Sequence, residues 1–314
     1  MTSPNQLVEV GDELFLWSDD SESEDDRDNA TLLERRMFAL RYLSRHCWAR
    51  PSKHDVKASR LASSERISTE EVLEALRRIP TKHWKNTGRA NVRPEGTFTI
   101  DSITLGLVSC ASTQGRPLPS RSTHLYQNLC KLLIRFWKQH IQEEQVCGNI
   151  PGCQSLVCTS IQMNRNYAAR EHVDGNNTGP SWIIAVGDWA KGGELFIEDP
   201  KGREDHTLGC DVLGRYRTGE ICRGTSMDVH NRWARFNGKC VHFVRQYSGG
   251  DRYSLVFFCA ARHYAAPEAA KSFLSVLGFP LPGKQAPRTE QACRCSAVSA
   301  LKVDSLGRAL CPDG

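Results

Sequence analysis

Between residues 155 and 260 the chain offers no apolar stretch long enough for a buried helix. It offers six short runs instead: SLVCTSIQM (155–163), SWIIAVG (181–187), GELFIED (193–199), WARFNG (233–238), CVHFV (240–244) and RYSLVFFCA (252–260), with Gly, Asn and Asp between them. Apolar runs of this length bounded by turn residues read as strands. Roughly eight such strands in succession close most simply into two packed sheets, a β-sandwich or jelly roll. The expected fold is therefore α+β with a mainly β core.

Helices precede and follow that core. THLYQNLCKLLIRFWKQHIQEE (123–144) has the length and apolar spacing of a long helix. Ser68-Thr69-Glu70-Glu71 has the form of a capping box opening EEVLEALRRI, which ends at Pro80. TLLERRMFALRYLSRHCW (31–48) reads as a basic amphipathic helix, with Leu32, Leu33, Met37, Leu40 and Leu43 on one side and Arg35, Arg36, Arg41 and Arg45 flanking it. GTFTIDSITLGLVS (96–109) is strand-like, and APEAAKSFLSVLGF (266–279) is a closing helix. The expected organisation is a disordered acidic segment at 1–30, a basic helical region at 31–95, the β core with its supporting helices at 96–280, and a tail at 281–314.

Charge is distributed unevenly. Residues 1–30 hold ten acidic groups against Arg27 alone, a net −9, so residues 31–314 carry +14 of the total +5. SDDSESEDDRD (18–28) has the composition of a solvated, disordered leader. The basic body suits a polyanionic partner, DNA or RNA. No apolar run approaches the roughly 18–20 residues that cross a bilayer, and the N-terminus has no basic start followed by an apolar stretch. The expected location is intracellular, nuclear or cytoplasmic. Of the thirteen cysteines, neither the Cys147–Cys153–Cys158 series nor Cys293, Cys295 and Cys311 has Cys-x-x-Cys spacing, which leaves a structural zinc with little support. Cys158, Cys240 and Cys259 read as packing residues, and Trp182, Trp189 and Trp233 as core or rim aromatics.

EHVDGNN (171–177) carries the first chemical signal. On an extended segment, residues i and i+2 share a face, so His172 and Asp174 can converge on one ion while Val173 points away. Two ligands do not hold iron; a facial triad needs a second histidine and leaves three positions open. His242 lies in a predicted strand seventy residues on. Beyond a Ser-Gly-Gly-Asp turn, Arg252 and Ser254 share a face of the next strand. A guanidinium at the rim of an apolar barrel is costly unless an anion meets it, and Arg with a hydroxyl two residues on suits a carboxylate.

His172-x-Asp174, then His242, then Arg252-x-Ser254, resembles the signature of the 2-oxoglutarate- and Fe(II)-dependent oxygenases over roughly residues 96–262. That resemblance implies a double-stranded β-helix, a cupin-like jelly roll. It implies Fe(II) on His172, Asp174 and His242, with 2-oxoglutarate on the metal through its keto-acid end and its far carboxylate on Arg252 and Ser254. Tyr167 is a candidate second contact to the co-substrate. With O2 as the other co-substrate, such an enzyme hydroxylates a C–H bond and releases succinate and CO2.

Asn177 extends the motif to His-x-Asp-x-x-Asn. With NRNYAAREHVDGNNTGPSWIIAVGDWAKGGELFIED (164–199) it is similar to the TET/JBP-like branch, which oxidises the 5-methyl group of pyrimidines in nucleic acid. The resemblance implies that Asn177 lies close to the target base, where an amide both donates and accepts. The prolyl-hydroxylase-like branch usually has lysine where Arg252 stands, and the AlkB branch a second arginine a few residues past it. Hydroxylation of a protein side chain and a non-catalytic jelly-roll binding module remain the alternatives.

Overall fold

The strands of the central barrel alternate between two sheets as the chain proceeds. The computed structural model describes residues 51–63, 65–109, 115–146, 156–212 and 214–283. The expected acidic segment, the basic helix at 31–48, the tail from 284 onward, and Cys147, Cys153, Cys293, Cys295 and Cys311 lie outside these residues.

The first sheet has the order β1–β2–β4–β13–β5–β10, formed by Lys85–Asn86, Ile100–Val108, Ser160–Arg165, Arg252–Ala260, Asn177–Gly187 and Ala234–Phe236, with β3 (Leu118–Pro119) paired to β2. The second has the order β11–β7–β9–β8: His242–Val244, Leu195–Glu198, Ile221–Met227 and Glu204–Thr207. His172 extends this second sheet by an antiparallel bridge to His242. β6 (Lys191–Gly192) and β12 (Tyr247–Ser248) form a small separate ribbon. Along the chain, β4, residue 172, β5, β7, β9, β10, β11 and β13 thus fall into first, second, first, second, second, first, second and first sheet. That winding is the double-stranded β-helix, a jelly roll.

All six apolar runs hold a strand. Four further strands of this stretch were not anticipated: β6 and β12 have two residues each, β8 (EDHT) is an edge strand with no buried residue, and β9 (ICRGTSM) carries few apolar residues.

Helices pack the outer face of the first sheet. α1 (Ala58–Ala62), α2 (Thr69–Arg77) and α3 (Thr81–Trp84) precede β1; α4 (Arg121–Leu125) and α5 (Gln127–Val146) precede β4; α6 (Glu268–Val276) closes the described chain. α2 begins at the anticipated capping box, in which Ser68 accepts from the Glu71 amide and Glu71 accepts from the Ser68 amide. The long helix expected at 123–144 is broken at Tyr126, whose φ −123 and ψ 49 leave the helical region. Leu133, Trp137 and Ile141 of α5 pack with Leu105, Ile161, Leu255 and Phe257 of the sheet, and Ile67, Val72, Leu76 and Trp84 belong to the same core. The helices before β1 therefore share one hydrophobic core with the barrel. Lys85 and Arg165 both pair with Asp101, at 2.8 Å for Lys85, and Arg165 lies over Trp84.

A second apolar cluster fills the space between the sheets: Ile183 and Ala185 of β5, Leu195 and Ile197 of β7, Met227 and Phe236, with Val256 of β13 against it. A third covers the outside of the second sheet, where Val173 packs with Phe196, Leu208 and Phe243. Strand alternation thus sends Val173 outward and His172 and Asp174 inward.

Candidate active site

His172, Asp174 and His242 meet inside the roll. One ligand atom from each lies within 4.8 Å of the others. His172 Nε2 is 3.9 Å from Asp174 Oδ1, and His242 Nε2 is 3.7 Å from Asp174 Oδ2. The backbone sets this arrangement. His172 and His242 exchange both amide hydrogen bonds, at 3.1 and 3.0 Å, so their side chains emerge on the same face of adjacent strands, with ring centroids 4.2 Å apart. The Asp174 amide donates to Gly238 O at 2.8 Å, fixing the acid beside them.

The tautomers are fixed as well. His172 Nδ1 donates to Arg170 O at 2.7 Å and His242 Nδ1 donates to Cys240 O at 2.9 Å. Each imidazole therefore turns an unprotonated Nε2 toward the centre, the arrangement in which histidine binds a metal. Burial, and then the neighbouring imidazole of His242, push the His172 pKa down to about 3, so the ring stays neutral at physiological pH. Two imidazole nitrogens and one carboxylate on a single side fit a divalent iron with three positions left open. Among the described residues this is the only such cluster.

Arg252 opens β13 and is 2% exposed. Its guanidinium lies over the Trp189 ring at 5.4 Å and the Tyr247 ring at 5.6 Å, and one terminal nitrogen donates to Gly193 O at 2.9 Å. Its Nε is buried with no hydrogen-bond partner among the described residues, and no ion pair joins it to a described carboxylate. Burial lowers its pKa to about 10, against the opposing influence of Tyr247, Tyr167 and the Glu194 carboxylate, so the group is still cationic at neutral pH. A buried cation with an unused donor has the character of an oxyanion site.

Ser254, two residues on and 2% exposed, turns to the same side. Its Oγ accepts from Asn164 Nδ2 at 3.1 Å, which leaves the hydroxyl proton available to a ligand. Tyr167 is brought to this region, but its hydroxyl donates to Asn164 Oδ1 at 2.7 Å. Its connection to Ser254 runs through that amide. Burial raises the Tyr167 pKa to about 12, with Arg89 and Arg252 opposing the shift and Asp174 adding to it. The phenol sits among all three groups and stays protonated.

Asn177 begins β5, is 6% exposed, and donates from Nδ2 to Asp174 Oδ2 at 3.0 Å. Its amide thus lies beside the candidate metal-binding acid.

Four participants were not singled out as site residues. Trp189, expected only as a core or rim aromatic, and Tyr247 both adjoin the guanidinium, their rings edge to face at 6.4 Å. Gly193 gives it room: a Cβ there would lie 2.8 Å from Trp189 Nε1 and 3.0 Å from Arg252 Nε. Arg89, in the turn after β1, acts electrostatically on both Tyr167 and His172. Its Nε is buried and unpartnered, as is Asn91 Oδ1 in the same turn. That turn is tied to the metal segment, since the Arg170 amide donates to Val92 O and Arg170 Nε to Asn91 O. Only the folded chain brings these segments together. Cys158, Cys240 and Cys259 are buried thiols, and Trp182 and Trp233 are core residues. No helix among the described residues is long and apolar enough to cross a membrane.

No protein-family model and no curated protein matches this chain. Among solved structures, it is similar to an oxidoreductase of the 2OG-Fe(II) oxygenase family from Burkholderia pseudomallei, at 20% identity and a TM-score of 0.36, covering 57% of this chain and 77% of that one. NgTET1 in complex with 5mC DNA matches at 12% identity and a TM-score of 0.32, over 56% of this chain and 69% of that one. A dioxygenase for auxin oxidation in rice matches at 15% and 0.28, over 77% and 84%. These superpositions are loose, and the jelly roll is identified by its own strand order.

Proposed function

We propose that the chain is a 2-oxoglutarate- and Fe(II)-dependent dioxygenase that hydroxylates a C–H bond of a nucleic-acid base, the 5-methyl group of a pyrimidine. The observation that carries the oxidative part is the pairing, inside one jelly roll, of an inward-facing His172–Asp174–His242 cluster with a buried Arg252 that has no carboxylate partner. Bound Fe(II) would supply the capacity to activate O2 for C–H hydroxylation, coupled to oxidation of 2-oxoglutarate to succinate and CO2. The protein's part is placement. His172, Asp174 and His242 hold the metal on one face, leaving the opposite face for co-substrates. Arg252 and Ser254 take the distal carboxylate of 2-oxoglutarate by charge-assisted hydrogen bonds. Trp189 and Tyr247 exclude water from that pair, which strengthens it.

The nucleic-acid substrate rests on the resemblance around residues 164–199, on the +14 carried by residues 31–314, and on Arg89, a second cation beside the cluster with an unused donor. A base in a duplex has to leave the stack to reach a metal enclosed this way.

Succinate formation by the full chain, requiring both Fe(II) and 2-oxoglutarate and lost in His172→Ala, is the expected result. Its absence under those conditions would leave a non-catalytic binding module. The substrate is tested by digesting DNA and RNA incubated with the enzyme and searching for hydroxymethylated pyrimidines. Hydroxylated peptides without modified nucleosides would move the substrate to protein side chains.

A further inference from the structure

The geometry around Asp174 points to Asn177 and Gly238 as a clamp that disfavours metal binding through both oxygens of this carboxylate, with Asn177 acting as a positioning residue. The inference rests on the metal-dependent reading above and concerns how that metal is held.

The two carboxylate oxygens of Asp174 have different surroundings. Oδ2 accepts the Asn177 amide at 3.0 Å and lies 3.7 Å from His242 Nε2, while no hydrogen bond among the described residues is made to Oδ1, which faces His172 Nε2 at 3.9 Å. Asn177 has little freedom to release Oδ2. It is 6% exposed, its backbone amide donates to Asp174 O at 3.3 Å, and it pairs with Ala260 at the end of β5. Gly238 closes the other side. Its carbonyl accepts the Asp174 amide at 2.8 Å. A Cβ at that position would stand 3.2 Å from Asp174 Cβ, 3.3 Å from Oδ2 and 3.5 Å from Asn177 Nδ2. A side chain there would press on the amide–carboxylate pair, which would have to give by a few tenths of an ångström.

The coordination arithmetic gives the clamp a purpose. A six-coordinate iron with three protein donors has three places left. A chelating 2-oxo acid takes two of them and O2 the third. A carboxylate that bound through both oxygens would occupy one of those places. An amide that occupies a lone pair of Oδ2 disfavours binding through both oxygens and so would keep the third place open. A hydrogen-bonded partner of a metal ligand commonly contributes about 10- to 100-fold in metal affinity or activity.

The test needs no nucleic-acid substrate. Metal-free full-length protein is titrated with Fe(II), or Co(II) in its place, for the wild type, Asn177→Ala, Asn177→Asp and Gly238→Ala. Under anaerobic conditions, the charge-transfer absorption of Fe(II) chelated by 2-oxoglutarate is recorded for each. Asn177→Ala is expected to bind metal about tenfold or more weakly and to shift or lose the chelate absorption. Asn177→Asp, which keeps the shape but removes the donor and adds like charge, is expected to lose more. Gly238→Ala is expected to shift the absorption in the same direction. Thermal midpoints of the metal-free variants within a few degrees of the wild type show that the fold is kept. If folded Asn177→Ala and Asn177→Asp bind metal within twofold of the wild type and give its absorption, the clamp is refuted while the oxygenase reading stands. A wild type that binds neither Fe(II) nor Co(II) overturns both.

Discussion

The two ends of the barrel interior are finished to different degrees. At the metal end, both Nδ1 atoms donate to carbonyls, the acid is held by a backbone amide and by Asn177, and the three donor atoms already face one another. At the arginine end, a cation is buried against two aromatic rings with one hydrogen bond to a carbonyl and an Nε that has no hydrogen-bond partner among the described residues. The first end is pre-organised, so an ion entering it requires little rearrangement of the protein. The second carries an electrostatic deficit that a carboxylate would remove. Affinity at the first end should depend on geometry, and at the second on charge.

Removing a donor at the organised end has the largest expected effect. His242→Ala leaves two ligands, and metal binding together with succinate formation is expected to fall to below about 1% of wild type, beyond the 10- to 100-fold typical of losing a supporting residue. Metal titration and succinate assay measure it, and retention of tight binding would remove His242 from the triad.

Arg252→Ala separates the ends. Losing one partner of a buried charge pair costs about 2–4 kcal/mol, so the KM for 2-oxoglutarate should rise roughly 30- to 1000-fold with metal affinity unchanged. Equal loss of metal would show that the two ends are not independent. The deficit itself is tested with Arg252→Met. Because burial lowers the folded-state pKa to about 10, keeping the charge costs stability at neutral pH, and that cost fades as pH rises through about 10. Without ligand, Arg252→Met should therefore melt no lower than wild type, while losing the stabilisation that 2-oxoglutarate gives. A loss of more than about 3 kcal/mol, the scale for breaking a compensated buried pair, would mean the cation is already satisfied.

Gly193→Ala should disturb the arginine end more mildly. The added carbon meets Trp189 Nε1 and Arg252 Nε at φ +83, and a rise of about tenfold in the KM for 2-oxoglutarate is expected, with about 1 kcal/mol of lost stability. An unchanged KM would show that the ring and guanidinium have room to move.

The metal end was also the more legible in sequence, for the same reason. Its geometry follows from strand alternation: His172 and Asp174 turn inward because Val173 turns outward, and His242 lies where a short apolar run promised a strand. Arg252 and Ser254 were readable by the same period of two. The surroundings of Arg252 were not, because Trp189, Gly193 and Tyr247 come from the β6–β12 ribbon and its approach, where two-residue strands leave no periodic signal. Arg89 comes from a turn about eighty residues before the triad. Asn177 shows a subtler limit. Its spacing from Asp174 was visible, but spacing alone does not say whether an amide faces a ligand or a neighbouring acid; the start of β5 decides that. β8 escaped because the edge of the second sheet is solvated, and β9, between β7 and β8, because ICRGTSM holds too few apolar residues to show an alternation.

Tyr167→Phe gives the smallest effect and the finest test of how the two ends communicate. The phenol donates to Asn164 Oδ1, which also accepts from Gln162 Nε2 at 3.1 Å, and Asn164 Nδ2 donates to Ser254 Oγ. Removing the hydroxyl leaves Asn164 its bond from Gln162, so the amide keeps its orientation with one fewer restraint. The expected result is a KM for 2-oxoglutarate raised about two- to fivefold, the worth of one neutral hydrogen bond at about 0.5–1 kcal/mol, with metal affinity unaltered. An effect as large as that of Arg252→Ala would make the phenol a direct ligand of the carboxylate. A loss of metal affinity would instead join Tyr167 to the organised end, through its proximity to Asp174.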